Sequence, residues 1–305
     1  MNIFSVPKVS PVCIDGKSVE TKWTALDPAD ECRRALNRKP FRLLHSLVGN
    51  SLLSLDALEA VAHDKVKRKD DFYFDAGDLA FTDKWGTVPA ANLTVSEIFR
   101  QLETVGAWII MHHLELDPAY KAIQDEFGDF FRTNIASPAD AKLLRNPDFQ
   151  VFISSPRRKT PYHFDEETNF LMQVQGSKTI WICDPLDRNV TTEDEIERFH
   201  AGEVRTAGTF KPEAEKTATE FILMPGEAVH IPMHAAHWVR NHDAVSISVA
   251  LDFEFPRWKY SDIYKANYYL RKLGLSPRAP GRTVLTDRSK AALVGGLRTV
   301  KQFIT

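Results

Sequence analysis

Six of the ten histidines in the 305-residue chain fall between positions 163 and 242: His163, His200, His230, His234, His237 and His242. The stretch opens with His163-Phe164-Asp165. On a strand, residues i and i+2 point to one face, so this imidazole and carboxylate can converge on one ion. The pattern needs support, because ten histidines among roughly 13% acidic residues yield about one His-x-acid by chance. His113-Leu114-Glu115 is read as such a chance look-alike, structural in role, since no further ligand motif frames it. Downstream, His230, His234 and His237 compete for a third ligand place. A histidine beside apolar neighbours, as His230 is beside Ile231, is more often a packed core residue than a ligand. His200 and His242 are read as surface or loop residues.

Wider spacing separates these rivals. From His163 the chain reads His-x-Asp, three residues, Asn169, six residues, Gly176. That resembles the first cupin motif, with Asp165 where a second His can stand and Asn169 where Glu can stand. Further on, Gly226 is followed by five residues, Pro232, one residue, His234, two residues, His237, three residues and Asn241. This resembles the second cupin motif, with His234 in a glycine position and His237 in the metal-ligand position. The resemblance implies a double-stranded β-helix and a ligand set of His163, Asp165 and His237; His234 is read as lining the pocket. Two neutral imidazoles and one carboxylate leave three positions of an octahedral ion open, the arrangement of non-haem Fe(II) oxygenases.

The run Thr160-Pro161-Tyr162-His163-Phe164-Asp165-Glu166-Glu167-Thr168-Asn169-Phe170 continues to Gln173, Gly176 and Lys178. Together with Met224-Pro225-Gly226-Glu227-Ala228-Val229-His230-Ile231-Pro232-Met233 and His237, it is similar to the jumonji-C and cupin-8-like oxygenases. Within that family the core motifs most resemble the asparaginyl hydroxylase of the hypoxia response, densely over 148–255. The resemblance implies Fe(II), 2-oxoglutarate and O2 as cofactor and co-substrates, and hydroxylation of an unactivated C–H with release of succinate and CO2. It implies that Lys178 pairs with the distal carboxylate of 2-oxoglutarate, supported by the Thr160 hydroxyl, and that Asn169 adds a polar contact near the metal or co-substrate. A desolvated carboxylate needs such a cationic partner. Two departures stand out: Ala250 replaces an asparagine on the last core strand, and Ala235-Ala236 replaces a Trp-Trp pair before the third ligand. Both bear on co-substrate pose and pocket shape, so the substrate does not transfer: protein side chain, amino acid and small metabolite all stay open. Two alternatives are a metal cupin that does not use 2-oxoglutarate and a non-catalytic cupin-like binding protein. The intact ligand set and Lys178 argue against them.

The elements that must position these residues are legible in outline. From Phe149 to about Phe255 short apolar or alternating runs are divided by turn residues such as Gly176-Ser177 and Pro225-Gly226, the pattern of a jelly roll. Thr94-Val95-Ser96-Glu97 reads as a capping box opening a helix, Ala107–Met111 as a buried strand, and Asp117-Pro118 as the start of a helix running to about Phe131. Asp27–Glu31 can open a short helix, and Ser51–His63 carries Leu and Ala at helical spacing. The reading is mainly β with flanking helices, a jelly-roll, cupin-like core. It divides into an N-terminal mixed region packing on the core (1–93), a catalytic core with its leading helices (94–255) and a C-terminal helical extension (256–305). Tyr260–Leu273 is amphipathic and either covers the barrel or forms a homodimer contact. Trp181 and Trp238 are read as packing residues, and Arg157-Arg158-Lys159 as a basic loop, solvated or binding an acidic substrate.

Composition sets the bounds. Thirty-nine Lys and Arg against 41 Asp and Glu give a net charge of −2, no field to collect nucleic acid or an anionic membrane. The expected partner is therefore a small-molecule or peptide substrate. Three scattered cysteines, Cys13, Cys32 and Cys183, suit a reducing compartment, and Met1–Pro7 does not read as a signal peptide. With no apolar run near the ~18 residues of a membrane span, the expectation is a cytoplasmic enzyme.

Overall fold

The computed structural model describes residues 22–68, 71–84, 93–142, 148–204, 208–253 and 260–304. Cys13, Met1–Pro7 and the boundary near 255 lie outside them. Among the described residues, the strands form two antiparallel sheets. The larger runs in the order β1 (Trp23–Ala25), β2 (Arg42–His45), β10 (Glu227–Ile231), β7 (Thr168–Gln175), β12 (Ser246–Phe253), β5 (Asp148–Ser154), β4 (Ala107–Met111), β3 (Phe72–Ala76). The smaller has the order β6 (Lys159–His163), β11 (His237–Asn241), β8 (Lys178–Ile182), β9 (Thr219–Leu223). Two facing sheets with this Greek-key order and flanking helices are the jelly-roll core expected from the short, turn-divided runs.

The helices are α1 (Ala29–Ala35), α2 (Leu55–Lys65), α3 (Val95–Arg100), α4 (Pro118–Asn134), α5 (Pro138–Ala141), α6 (Glu193–His200), α7 (Pro212–Thr217), α8 (Ser261–Lys272) and α9 (Val284–Ile304). Both halves of the capping box form: Thr94 accepts from the Glu97 amide, and Glu97 accepts from the Thr94 amide at 2.8 Å. Pro118 stands in the first turn of α4, where its missing N–H costs nothing.

Period-two alternation builds the layers. On β5, Phe149, Val151 and Ile153 are fully buried against the helical side, whereas Asp148, Gln150, Phe152 and Ser154 face the space between the sheets. Behind the larger sheet, Phe127 and Phe131 of α4 interlock with Phe170 and Phe253, ring centroids 4.9–5.7 Å apart. Each such buried phenylalanine contributes ~2–3 kcal/mol of transfer free energy. Gly176 turns β7 into β8 at φ +67°, where an added Cβ would lie 2.5 Å from the Val245 carbonyl, so only glycine fits. Behind the smaller sheet, Trp181 stacks on Trp238 at 5.8 Å and 11°, packing residues as expected. There α8 covers α6, with Arg271 Nε bonded to Glu197 at 2.6 Å.

Three features differ from the expectation. The N-terminal region supplies β1, β2 and β3 to the larger sheet, strands of three to five residues, too short to show alternation. Arg158 is neither solvated nor at a pocket rim: its guanidinium is buried, paired with Asp75 and bonded to the Gly77 and Gly106 carbonyls. Asp165 lies past the end of β6, yet the alternation continues: Phe164 points outward to Phe199 while His163 and Asp165 face inward. No helix of the described residues is long and apolar enough to cross a membrane.

Candidate active site

A cavity of about 550 Å³ lies between the sheets, lined by alternate residues of both. On its smaller-sheet wall, His163 and His237 are direct cross-strand partners of β6 and β11, their rings 4.1 Å apart. Asp165 completes the group, one oxygen 4.0 Å from His163 Nε2 and the other 3.7 Å from His237 Nε2. One ligand atom from each of the three lies within 4.8 Å of the others.

The backbone fixes how these atoms present themselves. His163 Nδ1–H donates to the Pro161 carbonyl at 2.8 Å, and His237 Nδ1–H donates to that of Ala235 at 3.0 Å. Each bond fixes the tautomer that leaves an Nε2 lone pair facing Asp165, as metal-binding imidazoles require. Burial pushes both imidazoles down to about 4, so they are neutral at pH 7. Burial pushes Asp165 up, partly offset by His237. Neutral imidazoles and a partly exposed carboxylate at this separation suit a divalent cation better than they suit each other.

The other two sequence candidates on this wall, Thr160 and Lys178, also line the cavity, on the strands flanking β11. Lys178 is 4% exposed, and among the described residues its ammonium has neither a carboxylate nor a hydrogen-bond partner. Burial alone pushes it down to about 7. It lies four positions along β8 from Ile182, the partner of His237, roughly 13 Å of strand. The cavity therefore has a metal-ligand cluster near one end and an unneutralised cation near the other.

Asn169 lies on the opposite wall, and its amide serves a residue that the sequence reading missed. Its Nδ2–H donates to Asp252 at 2.5 Å. Asp252 and Asp148 both line the cavity, with Gln150 donating to each. The missed signal is alternation within β12, where Ser246, Ser248, Ala250 and Asp252 place small or polar side chains at every second position of an otherwise apolar strand. Ala250 is fully buried between the sheets.

The remaining histidines have other partners. His230 stacks on Phe170 with Phe41 tilted against it; its Nδ1–H donates to the Asn169 carbonyl and its Nε2 accepts from the Asn37 amide. His234 does not line the cavity; it is buried behind Asp165, its Nε2 2.9 Å from that of His200. His200 is thus a core residue rather than a surface one, stacked on Tyr264 and 3.4 Å from Glu166. His234 adopts φ +61°, the left-handed region that explains a glycine at this motif position, and its amide donates to the Asp165 carbonyl. His242 bonds Ser177 and Thr179 at the β7–β8 turn.

His113 and Glu115 have a third potential ligand nearby in Asp148. The carboxylates already accept backbone amides: Asp148 from His113 at 2.9 Å, Glu115 from Phe149 at 3.0 Å. This group pins the loop after β4 to β5, a structural role.

The sequence model of one protein family, described as a cupin-like domain, matches residues 90–254, more than half of the chain. Among solved structures, an X-ray structure of E. coli ycfD has a TM-score of 0.55 at 16% identity, covering 93% of this chain and 70% of that one. A structure of Escherichia coli ribosomal oxygenase YcfD has a TM-score of 0.51 at 14% identity, covering 93% and 69%. Another, of YcfD in complex with cobalt and 2-oxoglutarate, has a TM-score of 0.51 at 15% identity, covering 92% and 69%. At these identities the likeness is one of fold. No curated protein sequence matches the chain.

Proposed function

The chain belongs to the cupin-like domain family, and from that premise we propose that it is an Fe(II)- and 2-oxoglutarate-dependent oxygenase. Its reaction is hydroxylation of an unactivated C–H bond in a protein side chain, an amino acid or a small metabolite. One observation carries the reading: a two-histidine, one-carboxylate cluster shares a cavity with a buried ammonium that has no counter-charge among the described residues. A metal cupin that does not use 2-oxoglutarate has no task for that ammonium. YcfD, similar in fold, is described as a ribosomal oxygenase and in one structure is in complex with cobalt and 2-oxoglutarate.

On this reading His163, Asp165 and His237 hold the iron through two Nε2 atoms and a carboxylate oxygen. Iron with 2-oxoglutarate would supply the electrons that reduce O2 to a species able to oxidise a C–H bond, chemistry that no side chain can provide. The protein's own work is positional. The Pro161 and Ala235 carbonyls keep the imidazoles in the ligating tautomer. Lys178 and Thr160 receive the distal carboxylate of 2-oxoglutarate, a charge-assisted contact at a buried ammonium. Leu171, Ile180 and Val239 line the cavity alongside them and exclude water.

The test is anaerobic addition of Fe(II) and then 2-oxoglutarate to the purified apoprotein. A weak visible metal-to-ligand charge-transfer band is expected only when both are present. If no band forms at saturating co-substrate, the 2-oxoglutarate assignment is wrong.

A further inference from the structure

The three metal-ligand candidates are not held alike. Backbone carbonyls orient both imidazoles through Nδ1. Asp165 lies past the end of β6 with its side chain 36% exposed, and among the described residues no donor bonds its carboxylate. A carboxylate that no hydrogen bond orients points where its backbone puts it. Three contacts fix that backbone, and each leads to α6 or to the turn that α6 supports.

The first is Phe164, just before the ligand and 2% exposed, whose ring meets Phe199 of α6 edge-on at 5.4 Å and His234 at 5.8 Å. The second is Glu166, just after it, whose carboxylate lies 3.4 Å from His200 Nδ1. The third is the Asp165 carbonyl, which accepts from the His234 amide at 2.9 Å, in the left-handed turn before β11. His200 joins the last two. A carboxylate beside Nδ1 favours the proton there, which leaves Nε2 to accept from His234 Nε2–H at 2.9 Å. One imidazole thus touches the chain on both sides of the ligand residue. His200 is backed in turn by Tyr264 of α8, stacked on it at 5.2 Å and 3°, and Arg271 ties α8 to α6 through Glu197. Neither Phe199 nor His200 lines the cavity. An apolar side chain would fill the place of His200 without the cost of burying a polar ring, so its nitrogens have a task beyond packing.

We propose that His200, with Phe199 beside it, is a positioning residue for the metal. From α6 the two hold residues 164–166 so that the Asp165 carboxylate meets the same ion as His163 and His237. Through Tyr264, α8 becomes part of the support of the metal site. The proposal rests on the metal-binding part of the oxygenase reading. The His234 imidazole is one of three supports of His200, so its loss alone leaves Glu166 and Tyr264 in place.

The probe is Zn(II), which two imidazoles alone bind more tightly than they bind Fe(II), and its affinity for the full chain is read by competition with a chromophoric chelator. His200→Leu keeps bulk against Tyr264 and removes both nitrogens. It should weaken Zn(II) binding about tenfold, the lower end of what outer-shell partners contribute. His200→Asn returns a donor at the place of Nδ1 and should recover most of that affinity. Phe199→Leu, the milder change, should weaken Zn(II) severalfold and runs the same comparison if His200→Leu does not fold. In an Asp165→Ala background these losses should vanish, because residues that act through one ligand are not additive with its removal. A general loosening of the fold would weaken both backgrounds alike. Wild-type protein that binds Zn(II) no better than a His163→Ala, His237→Ala double variant overturns the metal reading itself. Undiminished affinity in the folded variants overturns the positioning role, as do an equal loss in the Asp165→Ala background and a His200→Asn variant no tighter than His200→Leu.

Discussion

Replacing Lys178 by methionine should stabilise the apoprotein and abolish its response to 2-oxoglutarate. Lys178 is buried among apolar neighbours and, among the described residues, nothing compensates its charge. Burial lowers its pKa from 10.5 to about 7, which at 1.36 kcal/mol per pH unit sets a ceiling of about 5 kcal/mol on the cost of keeping it charged. The sign follows from proton binding: between about pH 7 and 10.5 the unfolded chain holds this proton and the folded one does not, so stability rises with pH there. Below pH 7 both states are charged and the penalty is complete. Methionine has similar reach and no charge, so its advantage should be greatest at pH 6 and shrink towards pH 10. At roughly 2 °C of Tm per kcal/mol for a chain of this size, even half the ceiling is measurable by calorimetry. In the same assay, adding 2-oxoglutarate to the Fe(II)-loaded protein under nitrogen should stabilise the wild type further, by about 2.7 kcal/mol at a hundredfold excess over Kd, and leave Fe(II)-loaded Lys178→Met unmoved. Two results would refute the reasoning. One is a variant no more stable than wild type at pH 6; the other is a variant still stabilised by 2-oxoglutarate.

The parts of this molecule legible in its sequence are those where local chemistry and tertiary need agree. The Thr94 capping box, Pro118 at its helix start and the apolar run of β4 each satisfy a rule that operates within a few residues. The cavity-facing placement of His163, Asp165, His237, Thr160 and Lys178 was legible because motif spacing encodes strand register, and their roles remain to be tested. What was hidden depends on distant partners. Asp252 is one acid in an apolar strand until β5 and β7 bring Asp148, Gln150 and Asn169 beside it. His200 looks like a loop residue until α6 folds under α8 and presents it to His234. Arg158 reads as part of a basic triplet because Asp75, its counter-charge, lies 83 residues away.

Two further outcomes test the site and the frame that holds it. His237→Ala should abolish Fe(II) binding by equilibrium dialysis, whereas His234→Ala should largely spare it, since His234 faces His200 rather than the cavity. Loss on His234→Ala with retention on His237→Ala would move the third ligand. Asp75→Ala should destabilise the fold by ~3–5 kcal/mol in urea denaturation, because it strands a buried guanidinium. The argument turns on what Arg158 joins. Its side chain is 1% exposed, and its contacts reach Asp75 on β3 and the Gly77 and Gly106 carbonyls at the β3 and β4 ends. From the residue just before β6 it thus ties the smaller sheet to the edge of the larger one. The paired replacement Asp75→Leu with Arg158→Met removes both charges and should recover most of the loss, as buried ion pairs are replaceable by well-packed apolar groups. If Asp75→Ala instead left stability intact while weakening binding of an acidic ligand, Arg158 would be a recognition residue and the basic-rim reading would return.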